Sequence, residues 1–402
     1  MLKIKHTFLK WRLKNKWRKR LKRKSIITLR IENLNQFFKY LDDRKIRYSS
    51  LRWPESVPYD IDLALYSNKE IDETFGDIDL LLELKDVMTL LDICSVRKKG
   101  IKIDLYSLYG SKGMHMRGLP YFPPNKGLEL LSNSSKEQGF SCPSGLLYIK
   151  SLVYHLTYQK ALESGIPSGV KGIATKQKPK KDYLQLLKDE SKKNKVQLPD
   201  EINLQSLHHW LQEHSWSIPL DLLPRWPKKS LFISKLKADF FVKYEQLDKQ
   251  YPYIIVYVLR GDLSKFPAEQ QLIEQKLSSK FELIEAGELS PQQQERAMAN
   301  LRGGNWLSIK THKILKPYKY LVYYDKSPEL EIDPVLKSKH PEIVNNNIFI
   351  KHEIRKSIKL NTGIDNAIHS SDNATEAFYM YEYLSSQSTE SLTESIDALK
   401  NE

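Results

Sequence analysis

Phe75-Gly76-Asp77-Ile78-Asp79-Leu80-Leu81-Leu82-Glu83 decides how the first half of this chain folds. Carboxylates and aliphatics alternate at its start. On a strand, Asp77 and Asp79 therefore face one side while Ile78 and Leu80 face the other. A second run, Lys102-Ile103-Asp104-Leu105-Tyr106, places Asp104 between apolar residues in the same way, as on a neighbouring strand. A solvated strand edge would also carry two carboxylates, but a third on an apolar strand favours a site. Three carboxylates converging from two strands can hold two magnesium ions, which clamp the attacking and leaving oxygens of a phosphoryl or nucleotidyl transfer.

Outward from this core, residues 118–124 (GLPYFPP), 140–143 and 146–160 read as a helical continuation of the same domain. The helix over 146–160 carries His155 in an apolar frame, where a histidine reads as a packed residue rather than a ligand. Residues 174–181 (ATKQKPKK) read as an exposed basic loop. Helices follow over 182–188 and 204–213, with His208, His209 and His214 on a half-exposed face and no metal spacing. Residues 219–227 then break the pattern. The segment 181–250 is taken as a helical connector.

The 402 residues suit two domains with extensions, and an apolar fraction of 40% with seven Trp supports packed cores. Cys94 and Cys142 lie far apart without His partners, which argues against zinc or a disulfide framework and suits a reducing cytoplasm. There is no P-loop, no His-Glu-x-x-His helix and no GxSxG elbow.

The net charge of +15 is concentrated at the start: residues 3–24 hold twelve Lys/Arg and no acid. Leu9, Leu13, Trp17 and Leu21 recur every four residues, so the arm (residues 1–30) reads as a basic amphipathic helix. Such a helix suits an anionic membrane surface through residues 1–24. A nucleic-acid arm and a disordered solubilising tail are the rival readings, and the Leu/Trp stripe makes nucleic acid the weaker partner. No segment has the apolar run of a signal peptide or membrane span. The expected location is the cytoplasm, on the inner membrane face.

The second half alternates strands and helices. Residues 253–260 (YIIVYVLR) read as a buried strand, 266–277 as a helix, and 281–286 (FELIEA) as an alternating strand. Ser290-Pro291-Gln292-Gln293 is a capping box with Pro at the first helical position. Residues 317–325 (PYKYLVYYD) form another strand, and 340–358 contain a helix bearing Arg355. After Asn366-Ala367-Ile368-His369-Ser370-Ser371-Asp372, a helix starts around Thr375, with Ser371, Asp372 and Asn373 as its capping residues. His369 thus stands beside a helix N-terminus, where phosphate is favoured and imidazole can accept a phosphoryl group. The tail, residues 386–402, reads as a frayed Ser/Thr/Glu-rich helix.

Two resemblances attach to these residues. Asp77, Asp79 and Asp104 resemble the Asp-x-Asp plus third Asp of the DNA polymerase β-like nucleotidyltransferases. That likeness implies a nucleotidyltransferase-like fold over residues 31–180, with Asp77 and Asp79 as magnesium ligands. Asp104 would be a third ligand or the base for an acceptor hydroxyl, and the donor an NTP or nucleotide-sugar. The glycine pair that cradles the triphosphate in active members has no counterpart; Gly76 lies directly before Asp77 instead. Residues 37–169 are similar in overall texture to uncharacterised nucleotidyltransferase-like proteins of bacterial surface-polysaccharide regions.

The string at 366–372 is similar to the Asn-x-(Ile/Val)-His-Gly-Ser-Asp motif of the nucleoside diphosphate kinases, with Ser370 in place of Gly. It implies a ferredoxin-like α/β sandwich over residues 251–385 with His369 transiently phosphorylated. Arg260, Arg355 and Ser371 would contact phosphate, and Glu376 or Glu382 would orient the ring. Arg260 stands where that family has Lys, and its Gly-Thr-Ile-Arg segment is not recognisable here.

The sequence thus leads to an α/β (α+β) protein with a mixed nucleotidyltransferase-like sheet and a separate sandwich. The leading function is Mg²⁺-assisted nucleotidyl or phosphoryl transfer to a sugar or polyol in surface-glycan assembly. A catalytically degenerate nucleotide-binding scaffold is the alternative, and a nucleic-acid-modifying transferase the third. The oligomeric state is not readable from the sequence.

Overall fold

The structure, a computed structural model, describes residues 2–23, 25–52, 57–96, 98–116, 120–137, 139–175, 179, 181–218, 223, 226, 230–301 and 315–401. Trp53, Gly118, Leu119, positions 176–178 and 180 of the basic loop, and most of 219–227 lie outside them. The chain is mixed α/β and divides into two compact units, the first spanning 1–218 and 225–233, the second 219–224 and 234–402.

Unit 1 opens with α1 (Leu2–Lys22), β1 (Leu29–Ile31), α2 (Leu34–Asp43) and β2 (Tyr48–Ser50). After α3 (Asn68–Thr74) come β3 (Asp77–Leu82), β4 (Ile101–Ser107) and α4 (Pro124–Asn133). A small hairpin, β5 (Ser135–Glu137) and β6 (Phe140–Cys142), leads to α5 (Gly145–Tyr154), α6 (Tyr183–Lys193) and α7 (Leu204–Glu213). The main sheet has the order β1-β4-β3-β2. Its two central strands are parallel, and the edge strands run antiparallel to them. One face carries Ile78, Leu80, Leu82, Ile101, Ile103 and Leu105 into the core.

Two glycines make this sheet geometrically feasible. Gly76 takes φ +72° directly after α3, stopping the helix and turning the chain straight into β3. At Gly100, φ +98°, a Cβ would collide with the Ile31 carbonyl, so only glycine lets β4 begin beside β1.

The amphipathic stripe of α1 is used within unit 1. Trp17 is 3% exposed in the core, and Leu13 and Leu21 pack against it. The side left outward carries a different apolar pair, Phe8 at 55% and Trp11 at 57% exposure. Among the described residues, no helix is long and apolar enough to cross a membrane. Helix α7 is likewise more deeply packed than its sequence suggests. His208 is buried, bonds the Tyr158 hydroxyl at 2.7 Å, and is pushed down to about 4 by that burial. Cys94 and Cys142 are both buried, and neither forms a disulfide.

The residues 181–250 supply α6 and α7 to unit 1, then α8 (Leu231–Lys243) at the division and α9 (Glu245–Gln250) in unit 2. Unit 2 continues with β7 (Ile254–Arg260), α10 (Pro267–Ser278), β8 (Glu282–Glu288), α11 (Pro291–Asn300) and β9 (Pro317–Tyr324). Then follow α12 (Pro334–Lys339), α13 (Ile350–Thr362), β10 (Ile368–Ser370), α14 (Ala374–Leu384) and α15 (Thr389–Lys400). The four strands form an antiparallel sheet ordered β10-β7-β9-β8. Residues of α10 and α13 pack on one face, and those of α11, α14 and α15 on the other. The last of these corrects the frayed-tail expectation: Leu392 and Ile396 of α15 are buried in the core.

Candidate active site

Parallel pairing of β3 and β4 sets Asp79 directly opposite Asp104 and Asp77 opposite Lys102. Period-two alternation then puts Asp77, Asp79, Lys102, Asp104 and Tyr106 on one face, away from the aliphatic core. All three sequence-identified aspartates line a single cleft of about 770 Å³ in unit 1.

Each carboxylate already has cations or donors of the chain around it. Arg52, carried in by the Leu51 amide bond to the Asp79 carbonyl (2.9 Å), places its Nε 2.9 Å from Asp79 Oδ2 and ion-pairs with the other oxygen. The Tyr106 hydroxyl donates to Asp79 Oδ1 at 2.9 Å. Burial works against the Arg52 charge, yet Asp79, Tyr121 and Tyr106 raise its pKa. Lys102 bridges the other two aspartates, 2.6 Å from Asp104 and 3.4 Å from Asp77. His115 Nε2 lies 3.3 Å from Asp104 Oδ1. That oxygen is buried, held between the Lys102 ammonium and the His115 ring.

The carboxylates are thereby split. For Asp77, burial opposes ionisation, but Lys102 and a hydrogen bond with Asp104 hold its pKa below the usual carboxylate value. For Asp104, burial dominates over His115 and Lys102 and pushes the pKa up. Two neighbouring acids with opposed shifts are the arrangement expected of an acid–base pair. The donor set does not present a magnesium cage. Among the described residues no three His, Cys, Asp or Glu side chains come together to hold a metal. The chain's own Arg52 and Lys102 stand against the oxygens that a divalent ion would share.

Sequence reading missed the wall opposite the aspartates. Arg52 can only donate, so Tyr121 Oη accepts from its NH1 at 3.0 Å. The same hydroxyl shares a hydrogen bond with His155 Nδ1, at 2.6 Å. His155 is packed, as the sequence suggested, at 7% exposure, and it also lines the cleft and joins a chain of bonds that runs through Tyr121 and Arg52 to Asp79. It opens a π-helical turn, His155–Lys160, that also brings Gln159 and Lys160 to the cleft. The turn is pinned from behind by the Trp226 indole, which donates to the Tyr158 carbonyl at 2.9 Å. It ends on Ala161, held at φ +46°. Spacing alone gives no signal for this group, because Arg52, Tyr121 and His155 come from three distant segments. A basic or aromatic residue at each position is the only trace.

Unit 2 distributes its expected site residues differently. His369 on β10 pairs with Val258 and is 2% exposed, on the sheet face that packs against α14. Arg355 belongs to α13 on the opposite face and donates its Nε to the Ile368 carbonyl at 2.8 Å. Arg260 is buried in a two-point pair with Asp262, at 2.9 and 2.7 Å. Ser371 extends strand pairing, its amide donating to the Val256 carbonyl (2.9 Å) and its hydroxyl accepting from the Val256 amide (3.1 Å). Asn373 caps α14 by accepting from the Glu376 amide, while the Glu376 carboxylate accepts from the Asp372 amide. Glu382 pairs with Lys243.

No protein-family model, no curated protein and no solved structure matches this chain.

Proposed function

We propose that unit 1 is a nucleotidyltransferase-like unit that transfers a nucleotidyl or phosphoryl group to an acceptor hydroxyl. The observation that supports it is the side-by-side placement of Asp79 and Asp104 on parallel central strands, with Asp77 beside them at a cleft large enough for a nucleotide. Asp104 is the base: its pKa is raised by burial and it faces Asp79 across the paired strands at the cleft. The acceptor O–H gives its proton to that oxygen as its own oxygen attacks phosphorus. The phosphoanhydride bond breaks, and pyrophosphate or a nucleoside diphosphate leaves. A sugar or polyol acceptor is the part of this proposal that stands on family resemblance. Chemistry is assigned to unit 1 rather than to His369, because phosphoryl transfer needs in-line access to a ring nitrogen and His369 is 2% exposed. The strand order β10-β7-β9-β8, with the fourth strand of unit 2 beside its first, supports a kinase-like sandwich kept as a fold.

The test is release of pyrophosphate or diphosphate from the four nucleoside triphosphates and from nucleotide-sugars, with sugar and polyol acceptors, with and without Mg²⁺. Asp104→Asn should lower turnover by at least about 100-fold, the usual scale for losing a general base. Nucleotide binding without turnover in the wild type would instead favour the scaffold reading. The specific observation behind that second reading is the internal neutralisation of Asp79 by Arg52 and of Asp77 and Asp104 by Lys102.

The membrane partner moves to another face of α1. With Leu13, Trp17 and Leu21 facing the core, the surface offered to an anionic bilayer is Phe8 and Trp11. Their rings stack at 5.9 Å, Arg12 lies over Phe8, and Lys10, Lys14 and Arg44 line a groove of about 510 Å³ beside Trp11.

A further inference from the structure

Among the described residues, the wall of the aspartate cleft holds a side-chain donor with no partner. Gln159 is 3% exposed, lines the cleft, and its Nε2 has no hydrogen-bond partner. A buried amide left in that state is destabilising by the full desolvation of the group, so such a side chain points to an absent acceptor. The next residue, Lys160, also lines the cleft and holds its ammonium 5.5 Å from the centroid of the Tyr183 ring. In a regular α-helix, residues 159 and 160 diverge by about 100° around the axis. The π turn, where π-helical segments often mark functional sites, brings both to the same cavity as His155. A hydrogen-bond donor and a cation side by side, across from paired carboxylates, specify an oxygen-rich anion.

We propose that Gln159 and Lys160 hold the phosphates of the nucleotide, supplying with side chains the cradle that a glycine-rich loop would supply with backbone amides. This rests on the transferase reading of the cleft and goes beyond it by naming the phosphate-binding wall. Arg52 and Lys102 make it electrostatically feasible, since they neutralise the aspartates that would otherwise repel a polyphosphate.

Calorimetric titration of the full chain with each nucleoside triphosphate and with inorganic pyrophosphate tests it, at low and physiological salt. Gln159→Leu and Lys160→Met should each weaken triphosphate and pyrophosphate binding about tenfold, the scale of one hydrogen bond to a charged group. Lys160→Met should also flatten the salt dependence. Gln159→Glu, nearly isosteric, should weaken binding more than Leu, because it faces the anion with a like charge, and a thermal melt of each variant separates loss of binding from loss of fold. Equal or tighter binding by Gln159→Glu would overturn the proposal by showing that residue 159 meets a donor. Wild-type binding that survives all three substitutions would overturn it while leaving the transferase reading standing. A wild type that binds no nucleotide would remove both.

Discussion

Asp79 and Asp104 sit opposite each other, yet their substitutions should move stability in opposite directions. Asp79 neutralises a buried guanidinium, and removing one partner of a buried pair costs about 3 kcal/mol or more. Asp79→Ala should therefore lower the melting temperature sharply. Asp104 has a raised pKa because burial disfavours its charge. A carboxyl whose folded pKa lies above its unfolded one destabilises the fold at pH above the folded value, and the penalty fades as pH falls through it. Asp104→Asn should thus melt higher than wild type at pH 7–8, with the difference shrinking in the acidic carboxylate range. Melts of both variants from pH 4 to 8 check this, and a destabilised Asp104→Asn at neutral pH would contradict the assignment of Asp104 as a strained base. At this scale the sequence showed the three aspartates, because two-residue alternation is local. It hid Arg52, Tyr121 and His155, whose partners lie 27 to 69 residues away, and Gln159, whose place at the cleft no local pattern signals.

Elements with a strong local rule were legible. The stretch 253–260 contains β7, the Ser290 capping box forms and opens α11, and residues 204–213 are α7. The π turn was not, since nothing in the periodicity of residues 146–160 signals it; it depends on an indole 68 residues away. Helix α1 misled in an instructive way. Its four-residue stripe was real, but a stripe does not say whether protein or lipid covers it, and Trp17 chose the core. The exposed pair allows a separation of the two roles. Phe8→Ala/Trp11→Ala should reduce co-sedimentation with anionic vesicles by at least about tenfold, given the apolar area two aromatic side chains would bury, and leave the melting temperature unchanged. Trp17→Ala should instead destabilise unit 1 by about 3–5 kcal/mol. Undiminished vesicle binding by the double variant would remove the aromatic pair from the membrane argument. Loss of binding in high salt with no effect of the aromatics would leave only charge.

At the scale of the whole molecule, two units have separate cores and separate sheets, and the chemistry is proposed for one of them. The 402-residue length suits two domains, and what divides the chain near residue 233 is which core each element packs into, a long-range property that length does not carry. A calorimetric scan of the full chain can read their independence. Units that fold separately give two transitions, whereas a single cooperative unit gives one. A nucleotide that binds only unit 1 raises one transition and leaves the other in place. At 100 times its dissociation constant the ligand adds about 2.7 kcal/mol, which for a unit of this size is a shift of roughly 5–10 °C. Lys160→Met should cut that shift at fixed nucleotide concentration, and His369→Ala should move only the transition that does not respond to nucleotide. If nucleotide raised the transition that His369→Ala perturbs, the site of binding would be unit 2, and the buried histidine would have to become accessible for the ligand to reach it.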